Sequence, residues 1–328
     1  MSQSERRTAL ITGASGQDGS YLAELLLGRG YRVVAASRRD AAAHRPRLGD
    51  RTDAVESVTI DLSDPEKVRD LVARQAPEEI YHLAAASRVD ASWSQPMEAL
   101  VHNAGSTANL LEAIRREQPK ARMVVASSCE IFGRPERSPQ SEQTTIAPAS
   151  PYGVSKAAAF WMTSIYRESH GLHVSSAIMY NHESPRRSDA FVSRKISLGV
   201  ARIACGQEHA LTLGNLDARR DWGFAGDYVE ALARMVQLER PRDLVLGTGA
   251  SYSVRDICEH AFAFVGLDYR AHVRADRALF RPVDPTSLVA DARLAHTALG
   301  WSPTVTFPAL VEMMVSADLE RVRSGAVI

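Results

Sequence analysis

The sequence predicts an α/β protein: a doubly wound parallel sheet with helices on both faces, and beyond it a smaller, partly interleaved α/β unit. Two observations predict this. Short apolar strand patterns alternate with amphipathic helical ones through residue 180, and past Asn181 the alternation breaks up. A third is local, a glycine-rich turn between the first strand and the first helix.

The elements follow in order. Thr8–Thr12 is short, apolar and stopped by Gly13, the pattern of a buried strand. Ser20–Leu27 carries Tyr21, Leu22, Leu25 and Leu26 on one helical face, and the Gly28–Gly30 pair ends it. Tyr31–Ala36 is a second strand and Val58–Ile60 a third, the latter followed by Asp61 and a helix-like Glu66–Ala73. Glu79–Ala84, Met123–Ser127 and Val174–Tyr180 continue the strands, with helices Ser106–Glu117 and Tyr152–His170 between them. Asn181–Asp189 is polar and Pro-broken and reads as a loop, as do Arg134–Gln143 and Pro148–Pro151, while Ala41–Ala43 reads as a loop tip. A helix over Phe191–Gly206, a short strand at Ala210–Gly214 and a last helix over Phe307–Val322 complete the reading.

Composition excludes several classes. The 39 Lys+Arg balance 39 Asp+Glu across 328 residues, so no net basic face is available for nucleic acid. Hydrophobic residues at 45 % and charged residues at 24 % are ordinary for a folded protein and wrong for a disordered one. No apolar run reaches the ~18 residues of a membrane span. The polar start runs directly into a strand, which reads as no signal peptide and a cytoplasmic location. Cys129, Cys205 and Cys258, odd in number and far apart, give neither a disulfide framework nor a metal cluster.

Three constellations carry chemistry. Gly13, Gly16 and Gly19 stand between a strand and a helix, the arrangement that lets a backbone approach a dinucleotide pyrophosphate at a helix N-terminus. The second strand ends in Arg38 and Arg39, where an acid would hold the ribose hydroxyls of NAD; guanidinium groups there suit the 2′-phosphate of NADP. Asp61 and Leu62, directly after the third strand, are placed to meet the adenine edge. The strongest signal is Tyr152 with Lys156, four apart on a helix and therefore on one face. The ammonium is expected to lower the phenol pKa from ~10 and make the tyrosine a usable base. Ser127 or Ser128 can hydrogen-bond a substrate hydroxyl, completing a Ser/Tyr/Lys set for hydride transfer.

These motifs resemble those of the extended short-chain dehydrogenases/reductases that act on nucleotide sugars, whose core is a Rossmann-type sheet. Thr12–Leu22, Asn181–Arg187 with Phe191–Ile196, Leu213–Gly223, Phe280–Asp284 and Leu299–Pro303 resemble the GDP-mannose 4,6-dehydratase family. The resemblance implies a redox-neutral lyase that converts a GDP-hexose, most simply GDP-mannose, to a 4-keto-6-deoxy sugar with tightly held NADP. It implies that Tyr152, beside Lys156, takes the C4 hydroxyl proton and that Glu130 takes the C5 proton, with Ser128 in the same catalytic set. It implies an NADP site of Gly13, Gly16, Gln17, Asp18, Gly19, Arg38, Arg39, Asp61, Leu62, Leu83, Ser87, Tyr152, Lys156, His182 and Arg187. On the sugar and nucleotide side it implies Ser87, Glu130, Asn181, Val192, Lys195, Leu213, Gly214, Arg220, Arg281 and Asp284, with Arg220 and Arg281 clamping the diphosphate. A homodimer or homotetramer is implied as well. The expected division gives 1–181, with about 217–247, to NADP and gives 182–216 and about 248–328 to the nucleotide sugar.

The chain departs from the family pattern at several places: Ser128 stands for a threonine and keeps its hydroxyl, and the chain is shorter in the Arg38–Asp50 loop and before Phe280. Cys129 replaces a serine beside Glu130; it reads as a plain buried cysteine or, with a thiol pKa near ~8.5, as a group that could supply a proton. Arg88 stands where the family has histidine, and Asp284 where it has glutamate. These departures keep open a GDP-sugar epimerase, a 4-keto reductase or a dehydratase of a longer GDP-sugar such as a heptose.

Overall fold

The computed structural model describes residues 6–38, 45–280 and 288–325. The chain begins β1 (Thr8–Thr12), α1 (Gln17–Gly28), β2 (Arg32–Ser37), α2 (Arg45–Leu48), β3 (Glu56–Thr59), α3 (Pro65–Gln75) and β4 (Glu79–His82). Then come α4 (Val89–Ser94), α5 (Pro96–Leu100), α6 (Ser106–Glu117), β5 (Arg122–Ser128), α7 (Pro151–His170) and β6 (His173–Met179). β7 (Asn181–Glu183), α8 (Val192–Ala204), β8 (Leu211–Leu213), β9 (Arg219–Phe224), α9 (Ala225–Met235) and β10 (Leu244–Leu246) follow. The last described elements are β11 (Ser251–Ser253), α10 (Val254–Phe264), α11 (Tyr269–His272), β12 (Val273–Ala275), α12 (Arg293–Leu299) and α13 (Phe307–Ser324).

Seven strands form a parallel sheet in the order β10-β6-β5-β4-β1-β2-β3. Its strands are apolar on both faces because both faces are covered. Ala9, Ile11, Val33 and Ala35 join the core that includes α1 and α9, while Leu10, Val34 and Ala36 join the one with α3 and α6. Each fully buried Leu, Ile or Val contributes about 1.5–3 kcal/mol, which is what holds the helices to the sheet. A third core, with Ile196, Val200, Ile257, Phe262, Phe307 and Val315, packs α8, α10 and α13 together in the smaller unit. Among the described residues no helix is long and apolar enough to cross a membrane.

Two helix starts have clear local causes. Asp64 caps α3 by accepting the Glu66 and Lys67 amides, with Pro65 at the first helical position. Ser150 caps α7 in the same way through the Gly153 amide at 3.0 Å, with Pro151 first.

The structure corrects one expected loop. Asn181–Asp189 opens with strand β7, which pairs in parallel with β9, Asn181 opposite Trp222. Its residues are polar because they are used in polar contacts, so no apolar alternation marked it. The segment expected to return over 217–247 enters the main sheet only through β10, whereas β9 pairs with β7 and β11. From the later segment, Ala295 and Trp301 pack into the core around α1 and α9. The Ala41–Ala43 loop tip lies outside the described residues.

Candidate active site

A cleft of about 880 Å³ opens at the carboxyl ends of β1, β2, β4, β5 and β6 and is closed from the other side by residues of β7, α8 and β9. Every described residue that the sequence assigns to catalysis, cofactor or substrate lines it. Arg39, Arg281 and Asp284 lie outside the described residues.

At one end is the glycine-rich turn. Gly13 has φ +73°, and a Cβ there would lie 2.7 Å from the Ala84 amide nitrogen, so β1 and β4 close up only around glycine. At Gly19 a Cβ would lie 2.5 Å from Ala14 Cα and from the Gly13 carbonyl oxygen, which holds α1 close to the turn. Gly16 is the N-cap of α1 and makes no side-chain cap, leaving the helix amides facing the cleft. Just inside α1, Gln17 Nε2 donates to Asp18 Oδ1 at 3.0 Å and to the His182 carbonyl at 2.9 Å. At the end of β2, exposed Arg38 donates to His102 Nε2 at 3.1 Å. Asp61 accepts the Ser63 amide and hydroxyl, and these bonds hold its carboxyl below the usual range. Leu62 is buried beside it, and Leu83 and Ser87 follow β4 along the same wall.

At the center, β5 ends in Ser128 and passes into a short 3-10 turn, Cys129–Phe132. Ser128 caps that turn, its Oγ accepting the Glu130 amide at 3.3 Å. The first turn of α7 is pressed against this one: a Cβ on Gly153 would lie 2.7 Å from the Glu130 carbonyl oxygen. That contact brings Tyr152 and Glu130 to the same wall. Tyr152 is pinned through its backbone, its amide donating to Ser92 Oγ at 3.1 Å and its carbonyl accepting Ser155 Oγ at 2.7 Å. Ser155 in turn accepts from Asn103 Nδ2 at 2.8 Å. Neither Ser92 nor Asn103 was marked by the sequence, since a lone polar residue on a helix carries no motif.

The electrostatics differ from expectation in two places. The Tyr152 pKa is raised, because burial outweighs the lowering by the Ser128 hydrogen bond and by Arg187. Lys156 does not reverse this. Its Nζ lies 5.9 Å from the Tyr152 ring centroid and donates to the Ala126 carbonyl at 2.7 Å. Burial lowers Lys156 to about 8, against the opposing pull of Asp18. The second correction concerns Cys129. The thiol is buried among Ile131, Phe132, Ile178, Tyr180 and Leu288, and burial pushes its pKa far above the value expected of a proton donor. Ser127 resolves differently from Ser128: its Oγ is buried at the cleft wall and has no hydrogen-bond partner.

The far side belongs to the smaller unit. Asn181 stands at the start of β7, and Val192 and Lys195 on α8, the latter donating to the Thr212 carbonyl at 2.7 Å. Leu213 and Gly214 end β8, and buried Arg220 donates to the Arg219 carbonyl at 2.7 Å. Arg187 pairs with Glu183 at 3.1 Å and lies over the Phe191 ring, 3.6 Å from its centroid. Arg88 is turned to Asp90, on its own helix start, by an ion pair that includes an Nε–Oδ1 contact at 3.2 Å. Arg47, another cleft residue without a sequence signal, donates to the Ser15 carbonyl at 2.8 Å and the Arg186 carbonyl at 3.1 Å.

Comparisons with known proteins identify the family. The family model described as GDP-mannose 4,6 dehydratase matches residues 10–314. GDP-mannose 4,6 dehydratase 1 of Arabidopsis thaliana is 42 % identical over 335 residues, covering 98 % of this chain and 92 % of the relative. GDP-mannose 4,6-dehydratase of Vibrio cholerae serotype O1 is 39 % identical over 359 residues, covering 98 % and 96 %. Among solved structures, the UDP-glucose 4-epimerase of Thermus thermophilus in complex with NAD superposes with a TM-score of 0.84 at 28 % identity, covering 98 % of this chain and 100 % of that one.

Proposed function

The chain belongs to the GDP-mannose 4,6-dehydratase family and is a GDP-hexose 4,6-dehydratase; from that premise we propose that it uses NADP, acts on GDP-mannose, and carries out the reaction with Tyr152, Ser128, Glu130 and Lys156. The observation that carries this reading is the carboxylate. Glu130 and Tyr152 line one wall of the same cleft, and a simple alcohol dehydrogenase has no use for the second group.

The cleft fits a nicotinamide dinucleotide. Gly13, Gly16 and Gly19 make a cradle that side chains would fill, the α1 amides face it, and Ser127 offers a buried hydroxyl at the other end. Gln17, Asp18, His182 and Arg187 back the turn, Asp61 and Leu62 take the adenine edge, Leu83 and Ser87 continue along the cleft wall, and Arg38 supports the choice of NADP over NAD. When bound, the cofactor accepts reducing equivalents from sugar C4 and returns them at C6.

The chain's own groups do the proton work. Tyr152 takes the proton of the C4 hydroxyl, and the buried Lys156 ammonium stabilises the phenolate that this creates. The resulting ketone acidifies the C5 proton, which Glu130 removes and passes to the C6 hydroxyl so that water leaves, and a solvent proton returns to C5 at the end. Ser128, bonded to Tyr152 and capping the Glu130 turn, keeps base and carboxylate in register. Cys129 packs behind them and moves no proton. Asn181, Val192, Lys195, Leu213, Gly214 and Arg220 hold the GDP end, Arg220 as a diphosphate clamp. Arg281 and Asp284, outside the described residues, belong to the same proposal.

We further propose a homo-oligomer built on α5 and α7, whose packed pair exposes Met97, Val154, Trp161 and Ile165, with Val101 just past the end of α5. The function is tested by incubating the protein with GDP-mannose in heavy water. A GDP-4-keto-6-deoxy product with deuterium at C5 is expected; a product that keeps its C6 oxygen, with only a stereocentre changed, would replace the dehydratase with an epimerase.

A further inference from the structure

Asp18 stands in the first turn of α1, directly behind the glycine-rich turn, where a carboxylate would oppose an incoming phosphate. It has a close partner from 164 positions away. His182 Nε2 lies 2.9 Å from Asp18 Oδ2, and the other ring nitrogen, Nδ1, lies 2.7 Å from the Tyr180 carbonyl oxygen. A carboxylate and a carbonyl only accept, so both nitrogens must carry hydrogen, and the ring is an imidazolium.

The surroundings hold that state. The ring stacks on Tyr228 of α9 at 5.0 Å and 27°. From β7 and the loop after it come Glu183 and Arg187, already paired with each other. Lys156 of α7 completes the charged set, within the field of Asp18. Burial and Arg187 act against protonation, yet Asp18 and the Tyr180 carbonyl prevail and the His182 pKa is raised. Gln17 fixes the pair from the side, donating to Asp18 and to the His182 carbonyl while its own oxygen accepts Ser184 Oγ at 2.8 Å.

We infer that His182 is the counter-cation of Asp18, cancelling the acid beneath the phosphate-binding turn so that the cofactor diphosphate can be held there. The inference rests on reading that turn as the dinucleotide site. It gives the acid a purpose as well. Neutral to the phosphates, the pair ties the start of α1 to β7 and so to Asn181 on the substrate side. Its loss by titration has a definite direction: as pH rises through the raised His182 pKa, the carboxylate is uncovered and NADP binding weakens.

The experiment measures NADP dissociation constants for the full chain, His182→Gln, Asp18→Asn and the double variant, with the ring nitrogens of labelled His182 followed by NMR. His182→Gln leaves one unscreened charge near the diphosphate and is expected to weaken NADP about tenfold. The double variant removes that charge and is expected to return to within about threefold of the starting value. Both His182 nitrogens are expected to be protonated at pH 7. A neutral ring, an unchanged affinity in His182→Gln, or a double variant as weak as that single one would overturn the inference; the last would mark a merely structural contact. Should His182→Gln not fold, the ring protonation in the unaltered chain and its loss in Asp18→Asn decide alone. A chain that took up neither NADP nor NAD, with the ring still doubly protonated, would overturn the cofactor reading and with it the phosphate clause.

Discussion

Replacing Gly13 by alanine tests the idea that β1 and β4 meet closely enough to seat a dinucleotide only because no side chain intervenes. Gly13 has φ +73°, a conformation that costs an L-residue about 1–2 kcal/mol. Its Cβ would lie 2.7 Å from Ala84 N and 2.9 Å from Ala84 Cα and Leu83 C, all backbone atoms that cannot rotate away. Overpacking of that kind costs about 1–3 kcal/mol more. The sum, about 2–5 kcal/mol, predicts a melting temperature lower by about 3–7 °C and a chain purified with little cofactor. Gly28→Ala is the matched control. It lies at the end of the same helix with nothing within 4 Å of the added Cβ, and is expected to be neutral or about 0.5–1 kcal/mol stabilising. Thermal melts read beside cofactor content check both. A Gly13→Ala chain that melts within about a degree of the unaltered one and holds its full cofactor would refute the packing argument.

Two further outcomes follow from the site. Lys156 is held at about 8, so the ammonium proposed to stabilise the Tyr152 phenolate is lost above that pH; kcat/KM is expected to fall on the alkaline side with an apparent pKa near it, and a profile flat to about pH 10 contradicts this. Trp161→Glu with Ile165→Glu places two charges on the exposed face of α7, and light scattering is expected to show a smaller particle than for the unaltered chain. An unchanged mass would move the interface elsewhere.

Where the sequence could be read, the reason is periodicity. Leu10 and Ile11 face opposite cores, and the continuous apolar runs of β1, β2 and β5 are visible in any short window. The helix Ser106–Glu117 has the bounds its sequence predicts, because its apolar face and its polar ends coincide. The i, i+4 spacing put Tyr152 and Lys156 on one wall, and the glycine spacing put the turn at its end. What escaped depends on distant parts of the chain. The burial that raises the Cys129 pKa is built from β6 and the 288–290 segment, which no local pattern brings together. The ammonium of Lys156 meets a carbonyl of β5 rather than the phenol ring, a matter of sheet geometry. β7 escaped because its side chains serve polar contacts, and the partnership of Asp18 with His182 because 164 residues separate them.

The proposed lyase chemistry depends on Glu130 more than on any other residue. Glu130→Gln keeps the shape and the Ser128 cap while removing the base. The decisive measurement is its rate of 4-keto-6-deoxy sugar formation, with bound cofactor quantified in the same sample. The account predicts full cofactor and a rate at least about a hundredfold lower. A rate within about threefold of the unaltered enzyme would contradict it and take the carboxylate out of the elimination.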